Sequence, residues 1–296
     1  MSYDFETTTH GKWILAGEHA VLRGHAALVL PLTDKTLTLR YKKSDQPLHI
    51  THDGPYGEGC STPIWQLIDT GLSALNLTAS NLNGELNIIN HIPIGAGMGA
   101  SAALCVAMTR WFQTVFDIKN NNIESFEFAR MLEDCFHGQS SGLDIAGAAA
   151  PPEGVYFKSG ETTPIHHAWK PHWYLSYSGE PGITSECIQH VQTLWQQDKA
   201  RAEALDNLMA DSVQQAHDAL MNTTPLAIKQ LAHAIHQAAD CFQGWGLINT
   251  ALKTHMTALR EAGAMAIKPT GSGGGGYVLS LWESPPPETP HGLITL

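Results

Sequence analysis

The stretch Pro93–Ala103, PIGAGMGASAA, decides how this 296-residue chain is read. It lies between ELNIINHI (Glu85–Ile92), where Leu86 and Ile88 alternate as on a half-buried strand, and an apolar helix-forming run, Ser101–Phe116. Glycines at 95, 97 and 99 permit a sharp turn and a close backbone approach that any Cβ would block. A helix opening at the end of such a loop turns its free N–H groups and the positive end of its dipole toward an anion. The expectation is a phosphate cradle built from Pro93, Gly95, Ala96, Gly97, Met98, Gly99, Ala100 and Ser101; a bare tight turn is the plain alternative. No Gly-Lys-Ser or Gly-Lys-Thr closes the loop, so it is not a Walker loop. A dinucleotide fingerprint would need an acidic residue ending a second strand about 20 residues on. Asp117 and Glu124 fall in that range, but neither ends an obvious strand.

Bulk properties narrow the partners. A chain of 296 residues can hold one large domain or two of ordinary size. A net charge of -11 argues against nucleic acid or an anionic membrane as partner. Binding a polyphosphate against that charge requires Mg²⁺ and a local cluster of amides and a lysine. No uncharged apolar run reaches membrane-spanning length, and the opening MSYDFETTT lacks the regions of a signal peptide. Five scattered cysteines without a CxxC pair suit a reducing cytosol, so a cytoplasmic location is expected. Among the 16 histidines, Glu133 and His137 could share a helix face, but no HExxH pattern and no zinc spacing occurs.

The pattern reads as two halves. From Lys12 to about Gly160 it is mainly strands, with helices at Pro63–Leu75, Ser101–Phe116 and Ile123–Phe136, and GVYFKSG (Gly154–Gly160) closes it. WYLSYSG (Trp173–Gly179) opens the second half, followed by three helices around 202–221, 226–242 and 247–261. In the second of these, Ile228, Leu231, Ile235, Ala238 and Phe242 form one apolar stripe. Gly263 is a plausible C-cap of the third. AMAI (Ala264–Ile267) and YVLSLW (Tyr277–Trp282) read as a strand pair around GSGGGG, and ESPPPETPHGLITL as an extended edge or tail.

Three further segments widen the argument: GKWILAGEHAVLRGHAALVLPL (Gly11–Leu32), EDCFHGQSSGLDIAGAA (Glu133–Ala149) and KPTGSGGGGYVLSLW (Lys268–Trp282). With the glycine loop, and in this order, they resemble the signature of the GHMP kinases, the superfamily of galactokinase, homoserine kinase, mevalonate kinase and phosphomevalonate kinase. The likeness covers the first half well and then the glycine-rich segment near the end; residues 190–260 add only a helical pattern. It implies an α/β (α+β) two-domain GHMP kinase fold. A ribosomal-protein-S5-like domain would span 1–165 and a ferredoxin-like domain 166–296, with the site in the cleft between them. It also implies phosphoryl transfer from ATP with Mg²⁺.

Residue by residue, the resemblance carries over as follows. Ser101 matches the loop serine that binds Mg²⁺, although the preceding family serine is here Ala100; taken alone, Ser101 could equally be an N-cap. Glu133, eleven residues before Asp144, matches the second Mg²⁺ ligand, with Asp134 as the alternative and a solvated helix charge as the bland reading. Asp144 matches the aspartate beside the reacting hydroxyl, which can accept its proton. Lys12 matches the lysine that keeps that aspartate ionised and steadies the transferring group; superfamily decarboxylases generally lack it. Ser140 replaces the proline of the usual HGxPSGxD, which implies a less rigid loop.

On the acceptor side the resemblance points to Glu18, His19, Thr184 and Gly273. GEHAV (Gly17–Val21) matches the mevalonate kinase branch in all five positions, which implies mevalonate as the acceptor. Galactokinases usually place an acidic residue where Ala20 and Val21 stand, and phosphomevalonate kinases often an aromatic one at His19. Gly182 stands where animal mevalonate kinases have an arginine. GSGGGG could pass for a flexible linker, but its strand-like flanks make it the family loop that packs beside the phosphate loop. Phosphomevalonate kinase stays as the alternative enzyme, and a non-catalytic nucleotide-binding sensor as the alternative from another class. The presence of Lys12, Ser101, Glu133 and Asp144 together speaks against a degenerate site. Whether the chain forms a homodimer is left open.

Overall fold

The computed structural model describes residues 2–78, 82–116, 124–138, 140–286 and 292–296. The chain divides into two compact units, Met1–Lys12 with Pro31–Ala149, and Trp13–Leu30 with Ala150–Leu296. This division differs from the expected boundary at 165/166. Trp13–Leu30 goes with the C-terminal half because its partners lie there. Trp13 packs edge-on against Trp173 at 4.9 Å, and Ala27–Val29 pair with Val155–Phe157.

Strand β1 (Phe5–Ala16), which carries Lys12, pairs with β2 (Ala27–Pro47), and in the first unit β2 sends its second half, from Leu37 onward, against β4 (Asn83–Asn90) in antiparallel register. Strand β3 (His49–Asp53) runs parallel to β4, and parallel strands cannot be joined by a tight turn. Helix α1 (Ser61–Ala74) lies in the long connection that results. Leu86 and Ile88 are buried, as their alternation requires. Helices α2 (Ala100–Phe116), α3 (Ser125–His137) and α4 (Leu143–Ala149) complete the unit. Trp111, Phe112 and Phe128 are fully buried between them, with Phe112 edge-on to Phe128 at 5.6 Å. Gly71, inside α1, is required by this packing: a Cβ there would meet the Phe112 ring at 2.6 Å. Of the sequence readings, Asp117 and Ile123 lie outside the described residues.

In the second unit, β5 (Val155–Lys158) and β6 (Glu161–Pro164) form a hairpin beside the first residues of β2. A separate antiparallel sheet is built from β7 (His172–Tyr177), β8 (Ala266–Thr270), β9 (Tyr277–Trp282) and β10 (Ile294–Thr295), in the order β10-β7-β9-β8. The expected strand pair around GSGGGG is therefore β8 and β9, and the chain end supplies an edge strand. Among the described residues four helices, not the expected three, accompany this sheet: α5 (Thr184–Gln197), α6 (Lys199–Met221), α7 (Ala227–Gly244) and α8 (Thr250–Glu261). Helix α5 escapes a periodicity reading because only Cys187 and Val191 on it are buried. In α7 the expected stripe is buried at Leu231, Ile235, Ala238 and Phe242, with Ile228 half-buried. Helix α8 starts three residues later than read, at the Asn249 cap, whose side chain accepts the Leu252 N–H at 2.9 Å.

Candidate active site

The first cluster lies in the first unit, at the C-terminal end of β4. Asn90 ends the strand fully buried; its Oδ1 accepts the Ile92 N–H at 2.9 Å and its Nδ2 donates to the Tyr56 carbonyl at 3.2 Å. That pair of bonds sets the exit angle of the loop. Gly95, Gly97 and Gly99 then take φ values of 73°, 78° and 77°, the left-handed region closed to most side chains. A Cβ on Gly95 or Gly97 would meet nothing within 4 Å, whereas one on Gly99 would meet Lys12 Cγ at 2.7 Å. The first two glycines therefore serve backbone shape beneath open space, and the third admits the lysine. Helix α2 begins directly afterwards, with Ser101 half-buried in its first turn.

Lys12 is 4% exposed and held on three sides. Its N–H donates to the Met98 carbonyl at 2.8 Å, and its Nζ donates to the Gly97 carbonyl at 3.1 Å. The same Nζ sits 3.0 Å from Asp144 Oδ2, on a carboxylate that remains one-third exposed. Asp144 lies in the first turn of α4, where Ser141 Oγ accepts the Leu143 N–H at 3.2 Å. A cation, a loop of backbone amides and an accessible carboxylate are thus adjacent.

Glu133 is only 1% exposed, and the Ser140 hydroxyl donates to its Oε2. Its Oε1 is buried without a hydrogen-bond partner among the described residues. Burial, followed by the negative charge of Asp144, pushes its carboxyl up to about 8. Asp134 does something else, accepting the Ser140 N–H at 2.7 Å and so tying the loop to α3. His137, expected on the Glu133 face, has its side chain outside the described residues. The loop in which Ser140 replaces proline carries hydrogen bonds where a ring was expected, a third being the Gly142 N–H donated to Ser140 Oγ at 3.0 Å.

A buried, partnerless carboxylate oxygen of raised pKa fits a hard divalent cation such as Mg²⁺, for which Glu133 and the Ser101 hydroxyl are suitable donors. Among the described residues no group of three or more His, Cys, Asp or Glu could cage a metal by itself. Such a donor set suits a cation that shares its oxygens with a phosphate.

The second cluster lies in the second unit, around GEHAV. A Cβ on Gly17 would collide with Ala27, which accounts for the glycine at this turn. Glu18 is 2% exposed and paired through Oε1 with Lys268, which is fully buried on β8 and also donates to the Ile14 carbonyl at 3.2 Å. Burial raises the Glu18 pKa while Lys268 opposes the rise. His19 adopts φ 58°, and its Nε2 lies 2.8 Å from the Ser272 carbonyl, an acceptor, so that nitrogen carries the proton. Its ring meets Trp245 edge-on at 5.1 Å, and burial lowers its pKa to about 4.

The glycine loop between β8 and β9 is bound on every side and is no linker. The Gly274 N–H donates to the Leu247 carbonyl at 2.8 Å, and the Gly276 N–H to the Glu180 carbonyl at 2.7 Å. Gly273 accepts the Cys187 thiol at 3.3 Å, and Thr184 Oγ1 donates to Ser272 Oγ at 3.3 Å. A Cβ at Gly182 would strike the Gly273 carbonyl, which explains why no arginine stands there. Arg23 is spent on a two-point contact with buried Asp206, its NH2 group 2.7 Å from Oδ1, and lies over the Trp195 ring.

The sequence reading did not find Asn90, Asp206 or the role of Lys268. The last carried a signal: a lysine inside the apolar strand pattern AMAIKPT must be buried, and a buried ammonium requires a counter-ion.

Comparison with known proteins follows this geometry. Residues 65–150 match the family described as GHMP kinases N terminal domain. The mevalonate kinase of Pyrococcus abyssi is 27% identical over 294 residues, covering 91% of this chain and 86% of the relative. The crystal structure of L. major mevalonate kinase in complex with R-mevalonate superposes with a TM-score of 0.76 at 22% identity, over 95% of this chain and 87% of that one. Streptococcus pneumoniae phosphomevalonate kinase gives 0.72 at 16% identity, over 96% and 92%. At such identities the likeness to solved structures establishes the fold, the two-domain GHMP fold. Among the described residues no helix is long and apolar enough to cross a membrane.

Proposed function

Since this chain belongs to the GHMP kinase superfamily, we propose that it is a mevalonate kinase, transferring the γ-phosphoryl group of ATP to the 5-hydroxyl of mevalonate. The observation that carries the reading is the Lys12–Asp144 pair, 3.0 Å apart beside the phosphate loop, with the aspartate still accessible. Asp144 orients the acceptor hydroxyl and takes its proton as the oxygen attacks. Lys12 pairs with Asp144 and offsets charge on the transferring group, which passes in line between oxygens with little covalent work by the protein. Amides from Gly95 to Ser101 hold the phosphates. Ser101 and Glu133 would hold Mg²⁺, which when bound neutralises phosphate charge.

On the acceptor side we assign His19 and Thr184 to contact the substrate, and Gly273 to close the loop over it. Glu18, with one oxygen on Lys268, holds the GEHAV segment in place. A second phosphate on the acceptor would need free cations; of the candidates Lys12, Arg23, Lys158 and Lys268, three are committed, Lys12 to Asp144, Arg23 to Asp206 and Lys268 to Glu18, while Lys158 is exposed on β5. This favours mevalonate over phosphomevalonate. Five free cysteines support a cytoplasmic setting.

The test is ADP release across an acceptor panel. We expect kcat/KM for mevalonate at least ~100-fold above that for phosphomevalonate, about 2.7 kcal/mol of discrimination. Turnover of phosphomevalonate but not mevalonate would replace this reading with the alternative enzyme. Nucleotide binding with no turnover of any acceptor would favour the sensor.

A further inference from the structure

We propose that Ser140 is a positioning residue for the metal site, locking the Glu133 carboxylate so that one oxygen alone is offered to the cation. The inference rests on the reading of Glu133 as a Mg²⁺ ligand and assigns a role to a residue at which this chain departs from the family pattern.

A backbone amide can only donate, so the Gly142 N–H at 3.0 Å makes Ser140 Oγ an acceptor on that side. The one hydroxyl proton is then free for Glu133 Oε2, and it is donated there. The hydroxyl is held on its other side by the Gly142 N–H, and the backbone beneath it is fixed by the Ser140 N–H donated to Asp134 at 2.7 Å. Asp134 and Glu133 are neighbours on α3, so the helix anchors both ends of the arrangement. The result is an asymmetric carboxylate: Oε2 is satisfied by a neutral donor, while Oε1 is buried and bare among the described residues.

A carboxylate left with both oxygens free could rotate or bind a cation through both. One pinned by an outer hydrogen bond is presented in a single orientation, and loss of such an outer partner typically weakens metal binding 10–100-fold. A proline at position 140 has no hydroxyl and no N–H, so it could make none of these bonds. In this chain the serine substitutes a directed polar tether for a rigid ring.

The test uses the full chain, Mn²⁺ as the probe cation and ADP as the nucleotide, with Mn²⁺ binding followed by electron paramagnetic resonance. Ser140→Ala should raise the Mn²⁺ dissociation constant on the order of tenfold at saturating ADP. It should leave ADP affinity without divalent metal unchanged, a readout that a merely structural role would move. Ser140→Thr keeps a hydroxyl and should recover most of the loss. Glu133→Gln, run in parallel, separates the two levels of the argument. If it weakens Mn²⁺ binding and Ser140→Ala does not, the positioning role is overturned while Glu133 stays a ligand. An unaffected Glu133→Gln overturns both. Equal losses in Ser140→Ala and Ser140→Thr, or a matching fall in metal-free ADP affinity, also overturn the positioning role.

Discussion

Two glutamates are almost equally hidden, Glu133 at 1% exposure and Glu18 at 2%, and each keeps one oxygen without a hydrogen-bond partner among the described residues, yet their other partners differ. Glu18 has a lysine ammonium against it, and that lysine is itself fully buried. Glu133 has a serine hydroxyl against it, and burial, followed by the charge of Asp144, raises its pKa to about 8 while the charge of Lys12 opposes only part of the rise. A buried charge must be compensated or neutralised. Around Glu18 compensation is internal, so the group contributes to structure. Around Glu133 it is partial, since Lys12 is paired with Asp144, and the carboxyl is left with a raised pKa and one oxygen without a hydrogen-bond partner among the described residues. Burial alone does not distinguish a structural acid from a functional one; the partner does.

The largest expected effect comes from making the Glu18 site resemble the Glu133 site. Lys268→Met leaves Glu18 buried without its counter-charge and should cost about 3–5 kcal/mol of unfolding free energy in a denaturant titration. Adding Glu18→Gln should return part of that loss. A Lys268→Met protein as stable as the wild type would mean that the pair contributes nothing and that the contrast is wrong.

His19 sharpens the comparison next, because its cluster excludes the charged ring. Its pKa of about 4 when folded lies below the ordinary 6.5 it regains on unfolding. Below pH 6.5 the unfolded chain therefore binds the proton more readily, and stability falls as pH drops from 6.5 through about 4. The loss attributable to this group is on the order of 3 kcal/mol, and His19→Gln should flatten that limb of the stability curve. Parallel acid limbs in the two proteins would show that His19 is not held neutral.

In the first cluster, Asp144→Asn should keep melting temperature and ADP affinity while lowering turnover roughly 10²-fold or more. Near-normal turnover would remove Asp144 as the proton acceptor. The smallest effect concerns the metal. Glu133→Gln should raise the Mg²⁺ concentration for half-maximal rate about tenfold. Asp134→Asn should leave it in place, since an asparagine oxygen can still accept the Ser140 amide. The reverse ranking would exchange the roles of the two acids.

Much of this was legible along the chain because local rules govern it. The glycine loop between strand and helix, the Leu231–Ile235–Ala238–Phe242 stripe and the strands flanking GSGGGG follow from backbone freedom and side-chain period. Helix α5 was not legible, because two buried side chains make too thin a stripe. Ser140 could be marked only as a departure from a pattern, since nothing in HGQSSGLD says which acid its hydroxyl would reach.

The sequence by itself determined which groups are present: a glycine-rich loop between strand and helix, a lysine and an aspartate in separate motifs, and an order of motifs that resembles the GHMP kinase signature. Only the tertiary structure decided which charges are spent and which are left over. Glu18 and Lys268 stand 250 positions apart, Arg23 and Asp206 183 apart, and Lys12 reaches Gly97 across 85. Sequence spacing carries no information about such pairings. Each is selected by the free energy of burying a charge, which depends on every element that closes around it.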